Sequence, residues 1–404
     1  MKFQDWPLMS KETKLIPELR FPHFERESEW RLKPLRKVLI KNSKKNKSLK
    51  HNLVQSVSNK HGFINQEEYF DNRRVASKDT SNYYVIRKGY FAYNPSRIDV
   101  GSLAYQHENT TSIISPLYVS FEANHEEVDD IFLLNWFFSD QFSSQLVFEG
   151  GVRNTLSYEN LIQINITLPS ISEQQKIASC FSSLDELIAA HNDKLNALKD
   201  HKKGLLQNLF PQEGETVPKV RFPEFEDDRE WVEKKLGDVC NMQAGKFIRA
   251  SEIKETNEDG LFPCYGGNGL RGYTETFTHI GKYSLIGRQG ALCGNVKLAD
   301  GQFHATEHAV VVTPENFADT NWLYYALVLL DLNKYATGQA QPGLSVANLE
   351  QVELRIPLTK DEQQKIASCL SAVDELITAQ QEKLEQLQQH KKGLMQGLFP
   401  KIER

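Results

Sequence analysis

The sequence predicts an α+β protein: two β-rich domains at opposite ends of an antiparallel pair of long coiled-coil helices, related by a pseudo-two-fold internal repeat. Three observations lead there. A long heptad-patterned segment occurs twice, a shorter entry segment precedes each half, and the two blocks enclosed between them carry strand-like, glycine-punctuated patterns.

The chain has 404 residues, 40% of them hydrophobic and 25% charged, which is enough for two or three folded units of ordinary globular composition. The opening MKFQDWPLMSKETK has no basic-then-apolar secretory pattern. No apolar run is long enough to span a bilayer, so a cytoplasmic protein is expected.

The entry segment Pro17 to Val38 returns as Pro218 to Val239, with Phe21 matching Phe222 and Trp30 matching Trp231 at an offset of 201. The long segment Glu173 to Pro211 returns as Glu362 to Pro400 at an offset of 189, with 26 identities in 39 positions. Chance does not produce that agreement. The divisions that follow are an entry segment (1–38), a first variable domain (39–172), a central long helix (173–211), a second entry segment (212–239), a second variable domain (240–361) and a C-terminal long helix (362–404).

Each long segment reads as a coiled-coil helix because its apolar residues alternate in steps of four and three. In the first helix the seam is Ile177, Phe181, Leu184, Ile188, Leu195 and Leu198; in the second it is Ile366, Leu370, Val373, Ile377, Leu384 and Leu387. One seam position in each is polar, His191 and Gln380, and these are expected to set register and partner choice. Both helices end at Leu-Phe-Pro, where proline stops the ladder. A span of about 38 residues makes a rod of roughly 57 Å. Glu173 with Lys176, and Glu362 with Lys365, have a nuclease-like spacing, but at the start of a helix their acids are read as complements to the helix dipole.

Both variable domains read as strands and turns. In the second, glycines at 266, 267, 269 and 272 surround Tyr265, Asn268, Arg271 and Tyr273, a pattern that suits either a structural hairpin or a contact loop. The stretch Lys88 to Gly101 occupies the place of Gly281 to Gly294, each a strand leading into a turn with an arginine, Arg97 or Arg288. Before the long helices, Gly150, Arg153 and Leu161 correspond to Gly338, Gln341 and Leu349.

Arginine pairs with guanine edges, and asparagine or glutamine with adenine edges, through paired hydrogen bonds. Asn94, Arg97, Arg153, Asn268, Arg271, Arg288 and Gln341 are therefore candidate base readers, with Tyr265 and Tyr273 as stacking candidates. From Arg31 to Ala104 there are 16 Lys/Arg against 5 Asp/Glu, whereas Tyr105 to Ser172 has 1 against 9. Lys44, Lys45, Lys47, Arg73 and Arg74 could thus face phosphates or simply form a solvated surface. The net charge of −5 excludes a protein gripping nucleic acid by bulk charge alone, and the second domain is mildly acidic.

Other chemistries find no support. Five scattered cysteines lack zinc spacing, and no metal site is expected. Asn94-Pro95-Ser96 lacks the second proline and the ring of an amino-methyltransferase site, and the Gly-Lys pairs lack the rest of a phosphate loop.

Taken together, the paired EQQKIASC…DELI…HKKGL…LFP helices, the paired RFPxFE…W entries, and YGGNGLRGY, LIGRQGALCGN and ATEHAVVV resemble the specificity subunit of Type I restriction-modification enzymes. The resemblance covers essentially the whole chain. It implies two target-recognition domains reading the halves of an asymmetric split DNA target, and helices that set their spacing and dock two modification subunits. No cofactor would be bound by this chain. S-adenosylmethionine, ATP and Mg2+ would act in the adenine-methylating modification subunits and in two ATP-dependent restriction subunits. The alternatives are a coiled-coil assembly scaffold without DNA readout, or the recognition subunit of a related enzyme of another type.

Overall fold

The computed structural model describes residues 15–401 apart from 60, 70–76, 78, 147–154, 291 and 339–341. The chain divides into two units, Met1–His191 with Lys383–Arg404, and Asn192–Glu382.

In unit 1 the entry segment supplies β1 (Arg31–Pro34), which pairs antiparallel with β10 (Asn165–Leu168) and so brings the two ends of the variable block together. Between them, β2 (Leu39–Lys41), β6 (Tyr90–Tyr93), β7 (Leu103–Tyr105) and β9 (Val119–Ala123) form an antiparallel sheet in the order β2-β9-β6-β7. Two smaller ribbons flank it, β3 (Gln55–Ser58) with β4 (Gly62–Asn65), and β5 (Tyr84–Ile86) with β8 (Ser112–Ile114). One face of the large sheet is aromatic: Phe91 stacks on Phe121 at 5.2 Å, and Phe137 closes over both. Phe137 comes from a helix, Asp130–Phe137, whose N-cap Asp129 accepts hydrogen bonds from the backbone N–H groups of Ile131 and Phe132.

Unit 2 repeats the plan with largely different residues in its sheets. Strand β11 (Val232–Lys235) pairs antiparallel with β20 (Glu353–Ile356). The sheet of β12 (Cys240–Ala244), β16 (Tyr283–Gly287), β17 (Val296–Ala299) and β19 (Ala309–Pro314) has the order β12-β19-β16-β17, the same topology as its counterpart. A second sheet holds β13 (Phe262–Gly266), β14 (Gly269–Thr274), β15 (His279–Ile280) and β18 (Gln302–Ala305) in the order β14-β13-β18-β15. The matching helix, Thr320–Leu329, is capped by Asp319 as the first is by Asp129. The loops before the long helices also agree. Ser157 and Ser345 cap short helices through the N–H groups of Asn160 and Asn348, and Leu161 and Leu349 are fully buried.

The long helices run Ile171–Leu209 and Lys360–Leu398 without interruption. In unit 1, Phe181 faces Phe399 and Asp185 pairs with Lys391; the numbers rise on one helix as they fall on the other, so the segments are antiparallel. In unit 2 the reciprocal pair is Lys202 with Asp374, 2.6 Å apart. Ile177, Phe181, Leu195, Ile366, Leu370, Val373, Gln380, Leu384 and Leu387 are buried, and Leu184, Ile188, His191, Leu198 and Ile377 half-buried. Mixed helix and sheet, two sheet-rich units and two long helices are therefore what the sequence predicted.

Glu173 and Glu362 stand in the first turn of their helices, as expected, and have a further role. Each carboxylate is buried and gripped at both oxygens by an arginine of the entry segment, Arg20 at 2.8 and 2.7 Å and Arg221 at 2.8 Å twice. A buried carboxylate requires a partner of opposite charge, and the planar guanidinium supplies one with matching geometry. The neighbouring Gln174 and Gln363 accept hydrogen bonds from the backbone N–H groups of the cap residues Asp129 and Asp319, at 2.9 and 2.7 Å.

Candidate nucleic-acid interface

The turn after the third strand of each large sheet in spatial order is where polar side chains gather. In unit 1, Asn94 follows β6, and its side-chain oxygen accepts from the backbone N–H of Ser96 at 3.0 Å. That Asx turn lets the chain reverse through Arg97 into β7, with backbone bonds from Arg97 N to Asn94 O and from Ser102 N to Arg97 O. Asn94 and Arg97 line a cleft of about 230 Å³ with Ser56, Ser58, Asn59, Ser102 and Tyr118. Arg97 is exposed, so its guanidinium is available to a ligand.

In unit 2 the corresponding turn after β16 is Arg288, Gln289 and Gly290. Arg288 is half-buried and donates through Nε to the carbonyl of Leu344 at 3.4 Å, while Gln289 is exposed. The glycine-rich stretch is a hairpin, β13 to β14, with a bulge between Cys264 and Tyr265. Its tip lies against β16 so closely that a Cβ on Gly287 would come within 1.8 Å of the Gly267 carbonyl. Together the hairpin tip and the turn form a cleft of about 490 Å³ lined by Asn268, Arg271, Gln289 and His308 among its glycines. His308 Nε2 sits 3.2 Å from Glu307 Oε1.

The other sequence candidates are distributed differently. Tyr265 is half-buried edge-on to Phe303, 5.7 Å between centroids, and burial pushes its hydroxyl upward in pKa, so it packs in the core. Tyr273 is half-buried on β14 and exchanges two backbone bonds with Lys254. Lys45 lies over the Tyr84 ring at 3.0 Å, Lys47 donates to Asn82 at 2.7 Å, and Lys44 is exposed. Arg73, Arg74, Arg153 and Gln341 lie outside the described residues. Gln289 and His308 were missed by sequence reasoning. The adjacency of Gln289 to Arg288 in a turn was the one available signal for the first, and nothing local marked the second.

Glu224, Glu233, Glu362 and Asp374 are engaged with Lys365, Arg355, Arg221 and Lys202, all within the unit. Arg271 at the cleft is exposed.

All five cysteines are free thiols, with Cys240 pushed up to about 12 by burial. No group of His, Cys, Asp and Glu suited to a metal occurs among the described residues, and no helix there is long and apolar enough to cross a membrane. Amides and guanidinium groups in small clefts are equipped to recognise polar edges.

The family described as Type I restriction modification DNA specificity domain matches twice, over residues 27–200 and 228–389. The EcoprrI specificity subunit of Escherichia coli is 44% identical over 155 residues, which span 38% of this chain and 38% of that protein. The MjaVIII specificity subunit of Methanocaldococcus jannaschii is 27% identical over 321 residues, 71% of this chain and 73% of that one. Among solved structures, the S subunit of a Type I restriction-modification system from M. genitalium shares the fold, with a TM-score of 0.63 at 15% identity, covering 96% of this chain and 100% of its own. A chain solved in work on assembly and conformational transition of the type I system aligns with a TM-score of 0.53 at 18% identity, covering 91% and 96%.

Proposed function

The chain belongs to the Type I restriction-modification DNA specificity family, and from that membership we propose that its two units each read one half of an asymmetric bipartite DNA target. The observation that carries this reading is the pair of clefts at corresponding turns of two topologically identical sheets, furnished with different side chains. One scaffold would then present Asn94 and Arg97 to one half, and Asn268, Arg271, Arg288 and Gln289 to the other. Arg153 and Gln341 remain candidates for the same role, and Lys44, Lys47, Arg73 and Arg74 for phosphate contacts.

In this proposal the chain is non-catalytic. The long helices dock two modification subunits that carry S-adenosylmethionine and methylate adenine, and two restriction subunits join with ATP and Mg2+, all in the cytoplasm. His191 and Gln380 keep the helix register in that assembly.

The test is a change of spacing. Inserting one heptad into both long helices, beside His191 and beside Gln380, adds about 10.5 Å to each. Methylome sequencing of cells carrying the variant and a modification subunit should show the same two half-sites with a spacer longer by about three base pairs. An unchanged spacer in an active complex would favour an assembly scaffold over this reading.

A further inference from the structure

Each unit carries an outward apolar side chain on a basic loop at the same place in its fold. In unit 1 the loop follows β2, the edge strand of the large sheet, and presents Leu49 with 53% of its surface exposed between Lys44, Lys47 and Lys50. In unit 2 the loop follows β12, the corresponding edge strand, and presents Phe247 at 72% exposure between Lys246 and Arg249, both exposed.

The two loops are unrelated in sequence, and each is held so that the apolar group points out. Buried Asn42 donates to the Val85 carbonyl at 3.0 Å and accepts from Lys44 N at 2.9 Å. Buried Asn46 bonds through its backbone N–H to Tyr83 O and through its side chain to His51 O, each at 2.9 Å. Leu49 then adopts φ +53, a left-handed conformation that a branched side chain avoids unless its surroundings impose it. In unit 2, Gly245 and Lys246 donate to the Ala309 and Ala305 carbonyls at 2.9 and 2.8 Å. The backbones lie so close that a Cβ on Gly245 would be 2.2 Å from the Ala305 carbonyl oxygen. Ile248, next in sequence, is buried at 7% exposure, which turns Phe247 outward.

We propose that Leu49 and Phe247 are wedges that press against or between base pairs of the bound duplex, while the flanking Lys44, Lys50, Lys246 and Arg249 neutralise its phosphates. This rests on the DNA-reading proposal above. The occupant is a nucleic acid because the apolar groups are flanked along the chain by exposed cations, which an apolar protein surface would leave without partners. Apolar side chains inserted at base steps unstack them and bend the duplex, and the bend lets more of the protein reach the backbone. The wedge recognises deformability of a step and needs no hydrogen bond to a base edge.

The test uses the full chain assembled with its modification subunit and a duplex carrying the motif found by methylome sequencing. Affinity is measured by titration and bending by end-to-end energy transfer, for wild type, Leu49→Ala, Phe247→Ala and Phe247→Leu. Phe247→Ala should weaken binding about tenfold and straighten the duplex, with Phe247→Leu recovering much of both because bulk is what the wedge needs. Leu49→Ala should act in the same direction on the other half-site, and neither variant should change the thermal midpoint, both side chains being exposed. Alanine variants that bind and bend DNA as wild type does overturn the wedge. A wild-type complex without sequence-specific binding instead overturns the reading on which it rests.

Discussion

Arg20 and Glu173, 153 positions apart in the chain, meet in a two-pronged ion pair that leaves the arginine side chain 7% exposed and the carboxylate 1%. The same guanidinium donates to the carbonyls of Glu27 and Ser28, so one side chain ties the entry segment to itself and to the long helix. Arg221 repeats each contact with Glu362, Asp228 and Arg229. Each arginine's pKa is raised, first by its hydrogen bond to the glutamate.

Removing one partner strands a buried charge. Glu173→Ala and Glu362→Ala should each destabilise their unit by about 3 to 5 kcal/mol. Arg20→Ala combined with Glu173→Ala should cost much less than the two single losses added together. Denaturant melts of the four variants measure this, and additive losses would mean that the pair is not coupled.

Phe399 sits in unit 1 against Trp30, Phe132 and Phe181 with centroids 6.3, 5.3 and 6.5 Å away. Phe399→Ala should cost about 3 to 5 kcal/mol, the usual loss for a large buried ring. Hydrogen exchange should show the protection lost around β1 and the helix Asp130–Phe137, with Val232–Lys235 and Thr320–Leu329 unaffected. Equal loss in both units would contradict the division.

Base-reading variants should act on one half-site at a time. Arg271→Ala should relax the motif at one or two positions of one half, with a discrimination loss of about 1 to 3 kcal/mol, and Asn94→Ala should do so in the other half. Methylome sequencing reads both. Uniform weakening across all positions would reassign these residues to phosphate contact.

His279 stacks on Phe303 at 5.4 Å, and burial, then Lys246 and His304, lower its pKa from the ordinary 6.5. Folding therefore favours the neutral ring. Its contribution is complete above the unfolded-state value and is lost as pH falls through the lower folded one. His107, at the surface but partly desolvated and near Lys88, is shifted the same way. The melting temperature should drop as pH falls below about 6.5, and His279→Phe should reduce that drop. An identical pH slope in the variant would remove His279 as its source.

The parts of this fold legible in the sequence were those written in periodic or duplicated form. The seam from Ile177 to Leu198 and its copy announced the helices because a coiled coil is a local, repeating constraint. The clamp of Arg20 on Glu173 stayed hidden because its two members are far apart and neither alone differs from a surface charge. The clefts were half legible. Asn94, Arg97 and Asn268 lie in turns with recognisable residues and Arg271 on the strand just after one, whereas His308 reaches its cleft only through the pairing of β19 with β16, which no local pattern records. Tyr265 looked like a stacking group because its glycine neighbours suggest an open loop, yet the hairpin bulge leaves its ring against Phe303.

That Phe399 belongs to the core built around Trp30 has a consequence during synthesis. The ribosome finishes residues 1–191 first, but their aromatic core lacks a member until residues 383–401 have been made, some 190 residues later. At about 5 to 20 residues per second, the nascent chain waits roughly 10 to 40 s with Trp30, Phe132 and Phe181 incompletely covered. Unit 2, whose stretch 192–382 is contiguous, can close during that interval. The half made first is thus completed last, and chaperones that shield exposed aromatic surface have their longest access to it.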